Sequence, residues 1–95
     1  MWVFELTDRS GKMIHLSDER WKHILKHPEM RDKLILDLIK ETILDADKTI
    51  LDMYDHGVHV YFKYYKDRKQ FLFVSVKYLN GEGYIITSFY TDKAQ

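Results

Sequence analysis

Residues 58–90 read VHVYFKYYKDRKQFLFVSVKYLNGEGYIITSFY, and this stretch decides the fold. Three runs alternate with period two, and KDRK and LNGEG separate them as turns. In the first run Val58, Val60, Phe62 and Tyr64 share one side, with His59, Tyr61, Lys63 and Tyr65 on the other. The second run puts Leu72, Val74, Val76 and Tyr78 opposite Phe71, Phe73, Ser75 and Lys77. The third sets Ile85, Thr87 and Phe89 against Tyr84, Ile86, Ser88 and Tyr90. Just upstream, KTILDMYD reads as another strand and DHG as its turn, giving an antiparallel meander of about four strands.

Before Asp47 the period is helical. Leu34, Ile35, Leu38, Ile39 and Ile43 form one apolar stripe, so a helix is expected from Glu29 or Met30 to Leu44. Another is expected from Asp18 to His27. Ser17 can cap it, Asp18 and Glu19 oppose the positive end of its dipole, and Pro28 stops it. Further upstream, WVFEL, a TDRSGK turn and MIHL suggest an additional N-terminal hairpin. The expected fold class is α+β: two helices packed on one face of an antiparallel sheet of about four strands. The Leu72/Val74/Val76 side is the expected helix-bearing face. The other face would carry Ser75 and Lys77, with Tyr61 and Lys63 near them.

A chain of 95 residues suits one small domain, residues 1–95. Aromatic residues at 15% are too plentiful for a disordered chain. Fifteen basic and fifteen acidic residues cancel, so any affinity for nucleic acid must come from charge segregated on one face. With no cysteine, disulfides and thiolate metal sites are excluded. No apolar run is long enough to span a membrane and no secretory signal is visible, so a cytoplasmic location is expected.

Chemistry concentrates in RWKHILKHPEM, residues 20–30. At about 100° per residue, Trp21, Ile24 and Leu25 share a side and His23 lies almost opposite, with Arg20 and His27 one turn away along the helix. A metal reading lacks the glutamate of His-Glu-x-x-His and an obvious third ligand, so no metal and no cofactor are expected. A solvated polar face is the plain alternative. A catalytic reading makes His23 an acid or base, with Arg20, Lys63 and Lys77 as cations and Thr87, Ser88 and Tyr90 as hydroxyl donors.

LSDERWKHILKHPEM, followed by a helix and then by FLFVSVKY and IITSFYTDK, resembles the phage-Barnase–EndoU–colicin–RelE-like nuclease group over residues 14–93. The resemblance implies metal-independent RNA cleavage by transesterification in a compact helix-and-sheet domain of phage, mobile-element or toxin type. It implies RNA as substrate and an antitoxin or immunity protein as partner. It carries over His23 as the helix histidine, Lys77 as the strand lysine, Thr87 as the last-strand hydroxyl and Lys63 as a further basic position. Simple alternation puts Thr87 out of phase with Lys77. Either a bulge restores the phase, or Ser88 and Tyr90 take that role. Arg20, His27, Lys63 and Ser88 are the expected substrate-binding residues, and His23, Lys77, Thr87 and Tyr90 the expected catalytic ones. The alternative is a non-catalytic interaction or accessory module of the same fold.

Overall fold

The structure, a computed structural model, describes residues 1–94. In chain order the elements are β1 (Trp2–Thr7), β2 (Met13–Ser17), α1 (Asp18–Ile24), a 3-10 turn (Pro28–Met30), α2 (Ile35–Leu44), β3 (Lys48–Leu51), β4 (Val58–Tyr65), β5 (Gln70–Leu79) and β6 (Glu82–Thr91).

Ser17 caps α1 as its side-chain chemistry demands: its hydroxyl accepts from the Arg20 amide at 3.2 Å. The helix ends at Ile24, three residues short of His27, because the chain tightens before Pro28. There the His27 amide reaches back only three residues, to the Ile24 carbonyl. The second helix also starts later than its apolar stripe suggests. Residues 31–34 form a turn in which Arg31 Nε donates to the Leu25 carbonyl and Asp32 Oδ1 accepts from the Leu34 amide. Fully buried Met30 anchors that turn.

The expected sheet of about four antiparallel strands, with both helices on one face, is incorrect. The sheet has six strands in the order β1-β2-β6-β5-β4-β3 and is mixed. The last four strands do form the antiparallel meander, with a two-residue turn at Asn80-Gly81 whose φ values of 54° and 82° are those of a type I′ hairpin. The N-terminal hairpin belongs to the same sheet. It docks through β2, which pairs parallel to β6 at Ile14↔Gly83 and His15↔Tyr84. Short turns impose antiparallel pairing only on consecutive strands; between β2 and β6 lie both helices and three strands, so no such constraint applies. The hairpin is drawn in because Ile14 and Leu16 are wholly buried in the main core. Gly83 lets it approach, since a Cβ there would stand 2.9 Å from Val76 Cγ1 and 3.0 Å from Ile14 Cγ1.

Only α2 covers the broad part of the sheet, packing on β5 and β4 through Ile35, Ile39 and Ile43. The β2–β6 pairing stops at Tyr84, and α1 continues beside β6, touching β6, β2 and β1. The helix-bearing face holds the main core, including Leu72, Val74, Val76 and Ile85. The far face is not simply solvated. Val58, Val60 and Phe62 are buried there against Ile50, Phe71, Phe73 and Ile86, forming a second, smaller core. Among the described residues, no helix is long and apolar enough to cross a membrane.

Candidate active-site cleft on the far face of the sheet

Strand alternation in β2 sends Ile14 and Leu16 into the core and therefore His15 to the far face. His15 pairs with Glu5 on one side and Tyr84 on the other. Its Nε2 stands 2.7 Å from Glu82 Oε1 in a hydrogen bond. Glu5 Oε2 lies 2.7 Å from Nδ1 but off the hydrogen-bonding direction, so Nδ1 has no hydrogen bond. The ring is 5% exposed, covered by Trp2 at 4.4 Å and Tyr84 at 5.2 Å between centroids. With both nitrogens facing carboxylates, His15 clamps β1, β2 and β6 together and has no free edge for proton transfer. A bulge in β1 between Trp2 and Phe4 brings Trp2 into phase with Glu5, so both side chains reach this face.

Beside this cluster is a cleft of about 550 Å³ whose walls include Trp2, His15, Ser17, Tyr84, Arg20 and Lys77. Arg20 comes from the first turn of α1 and Lys77 from β5, so two cations distant in sequence share one cavity. Lys77 Nζ donates to both oxygens of Asp55, each at 2.7 Å. The hydrogen bond from Lys77 and that from the Gly57 amide hold the Asp55 carboxyl below its usual range. The loop can lie this close because residue 57 is glycine: a Cβ there would be 3.1 Å from both Lys77 Nζ and the Tyr78 carbonyl.

The remaining sequence-predicted residues divide between the faces. A bulge between Ser75 and Val76 resets β6, so Thr87 pairs with Ser75 and shares the far face with Lys77, while Tyr84 pairs with Lys77 itself. The proposed substitutes lie on the helix-bearing side. Ser88 is wholly buried, donating to the Phe73 carbonyl at 2.7 Å. Tyr90 packs against the main core under the Arg68 guanidinium, 4.1 Å away, and burial pushes its hydroxyl pKa up. Lys63 also belongs to that side, since it pairs with Leu72; its ammonium donates to the carbonyl and carboxylate of Asp45 at the end of α2. Tyr61 pairs with Val74 and is buried there too, so neither residue joins Ser75 and Lys77 as the alternation suggested.

His23 is exposed on α1 in a shallow depression that it shares with Arg20, Lys22 and Lys26. It does not line the cleft containing Lys77. Beyond the end of α1, the His27 ring lies 6.0 Å from Phe89, which stacks on Phe73 of the far face. Arg20 lines both depressions, so His23 adjoins the Lys77 cleft through Arg20 without lining it.

A second cavity of about 380 Å³ opens on the helix-bearing side near Asp8, His59, Tyr61 and Tyr78. Its tyrosine hydroxyls are satisfied internally: those of Tyr61 and Tyr78 are 2.7 Å apart, and Tyr78 donates to Asp8 Oδ2 at 2.9 Å. Burial, reinforced by the hydrogen bond with Tyr61, pushes the Tyr78 pKa far up. Burial also lowers that of His59, and the nearby Lys12 charge adds to the effect. Such hydroxyls stay protonated at neutral pH and tie β4, β5 and the turn after β1 together. Among the described residues, no group of three His, Cys, Asp or Glu side chains could hold a metal ion.

Sequence reasoning missed Trp2, His15 and Asp55. The signal for His15 was present in MIHLS, where alternation sets it opposite two core residues. Nothing in the sequence pairs Asp55 with Lys77. No protein-family model, no curated protein and no solved structure matches the chain.

Proposed function

We propose that this chain is a small endoribonuclease that cleaves RNA without metal, by transesterification, along the strip formed by α1, β5 and β6 on the far face. The observation that carries the reading is the sharing of one cleft by Arg20 and Lys77, with Thr87 on the same sheet face and His23 in the adjoining depression that Arg20 also lines. In this reading His23 takes the proton of a 2′-hydroxyl, and the freed oxygen attacks the adjacent phosphorus. Charge developing on the phosphoryl oxygens is met by Lys77 and Arg20, with Thr87 as a hydroxyl donor. The bond to the 5′-oxygen breaks, that oxygen takes up a proton, and the products are a 2′,3′-cyclic phosphate and a 5′-hydroxyl end.

Lys77 must exchange Asp55 for a phosphate. The pair is well exposed, with 35% and 48% of the two side chains in solvent. Exposed pairs contribute little to stability, so a polyanionic substrate can displace the carboxylate. Net neutrality weighs against RNA, and the depression on α1 mixes Arg20, Lys22 and Lys26 with Asp18 and Glu19, so affinity in this reading rests on Arg20 and Lys77 inside the cleft.

The test is incubation with total RNA in the presence of chelator. Cleavage leaving cyclic phosphate ends is expected; intact RNA under every partner-free condition would overturn the assignment. One observation favours a second reading, a non-catalytic interaction module. Leu51 at the end of β3, and Met53 and Tyr54 on the loop that carries Asp55, are 62%, 80% and 92% exposed. A protein partner of antitoxin or immunity type would bury such residues, and in that reading the Lys77–Asp55 pair simply anchors the loop.

A further inference from the structure

Trp2 is the largest side chain at the mouth of the cleft and keeps 44% of its surface in solvent. Its position is imposed by neighbours rather than by its own burial. The β1 bulge turns it onto the far face, and its ring rests 4.4 Å from that of His15. His15 is itself fixed by Glu5 and Glu82, and Tyr84 closes the third side of the ring cluster, 6.1 Å from Trp2. An aromatic surface held this firmly costs little further entropy when a flat ligand stacks on it. The same cleft contains two cations, the Asp55 carboxylate that a phosphate must displace from Lys77, and the apolar side chains of Val58 and Ile86. Its volume, about 550 Å³, is in the range of small-ligand sites.

A stacking surface next to paired cations matches one chemical unit: a planar base joined to a phosphate. Resting on the ribonuclease reading above, we propose that Trp2 is the platform for an unpaired nucleobase whose phosphate lies between Arg20 and Lys77, which restricts the substrate to single-stranded RNA. A duplex keeps its bases stacked on each other and cannot present one to the ring. Every base has a π-face, so the platform selects strandedness rather than sequence.

Binding can be measured apart from cleavage with a short 2′-O-methyl oligoribonucleotide, which lacks the attacking hydroxyl. In a Trp21→Phe background, Trp2 is the only tryptophan and reports directly on stacking. Saturable quenching by the single strand is expected, with no quenching by ribose 5-phosphate. The same sequence as a duplex should bind more weakly. Trp2→Ala should weaken single-strand binding, followed by fluorescence anisotropy of a labelled oligonucleotide, by roughly five- to hundredfold, with Trp2→Phe recovering part of the loss. Circular dichroism checks that both variants remain folded; if Trp2→Ala does not, the Trp2 quenching and the Phe variant decide. Unchanged affinity in the folded Ala variant, equal affinity for duplex, or quenching by ribose 5-phosphate alone would overturn the inference. If the oligonucleotide quenches Trp2 but natural RNA is never cleaved, the nuclease reading fails and the platform stands. If RNA is cleaved and Trp2→Ala changes nothing, the platform alone fails.

Discussion

The two faces of the sheet handle polar groups in opposite ways. On the helix-bearing face, Tyr61, Tyr78 and Asp8 bond to one another, Tyr65 donates to Glu41, and Lys63 meets the end of α2. Each group there has an internal partner and burial raises the tyrosine pKa values, so the chemistry is closed off. On the far face, Lys77 has one exposed carboxylate, and Arg20, Trp2 and Thr87 lie where a ligand can reach them. Both faces are comparably rich in polar and aromatic residues. What separates a candidate site from a stabilising network is the accessibility of the group itself: the Lys63 side chain keeps 18% of its surface in solvent, that of Lys77 35%.

The sharpest way to break that contrast is to remove His23. Its exposed position predicts a melting temperature almost unchanged, since such surface substitutions usually shift stability by under about 0.5 kcal/mol. RNA cleavage by His23→Ala should fall by roughly 10²–10⁴ if the imidazole moves the proton, as single-turnover assays at constant pH would show. A variant that cleaves as well as the parent removes His23 from the site.

Gly83→Ala probes the seam on which both faces depend. The new methyl would meet Val76 and Ile14 inside ordinary contact distance, so a loss of about 1–3 kcal/mol is expected in chemical denaturation. The loss should be accompanied by faster amide exchange in β2 than in β4. Uniform exchange would show that the parallel pairing is not the weak point.

Tyr78→Phe separates the faces. It deletes the hydroxyl shared with Tyr61 and Asp8 and should cost about 1–2 kcal/mol of stability. Cleavage measured well below the melting temperature should be unaffected; a large fall in rate would place the tyrosine network in the site.

The smallest effect expected is a gain. Asp55→Asn leaves the loop its shape but frees the Lys77 charge, so RNA should bind and be cleaved more tightly, by about fivefold or less. A loss instead would make Asp55 the group that positions Lys77.

Much of the local structure could be read directly from the residues. Ser17 and Pro28 bracket the first helix, Asn80-Gly81 makes the hairpin, and period-two alternation in residues 58–65 and 70–79 marks the central strands. Exposure of His23 followed from its angle to Trp21 and Ile24. Short-range signals of this kind depend on the preferences of neighbouring residues, and those are written in the chain. The site needed more. Thr87 shares a face with Lys77 only because β6 bulges opposite Ser75–Val76, and Trp2 reaches His15 only because β1 bulges after it.

Sequence alone thus determined that two helices precede an antiparallel meander and that the central strands alternate with period two, because those follow from backbone preference and the side-chain period; it did not set the helix ends, the strand number or the face to which each strand turns its apolar side. Tertiary structure decided that β2 lies parallel to β6, that α1 runs along the edge of β6, and that Asp55 meets Lys77. Those outcomes turn on register, and a shift of one residue exchanges the two faces of a strand. Register is set by packing between segments far apart in the chain: Gly83 against Ile14, Gly57 against Lys77 and His15 between two glutamates. No local pattern encodes such contacts, since neither partner carries any mark of the other.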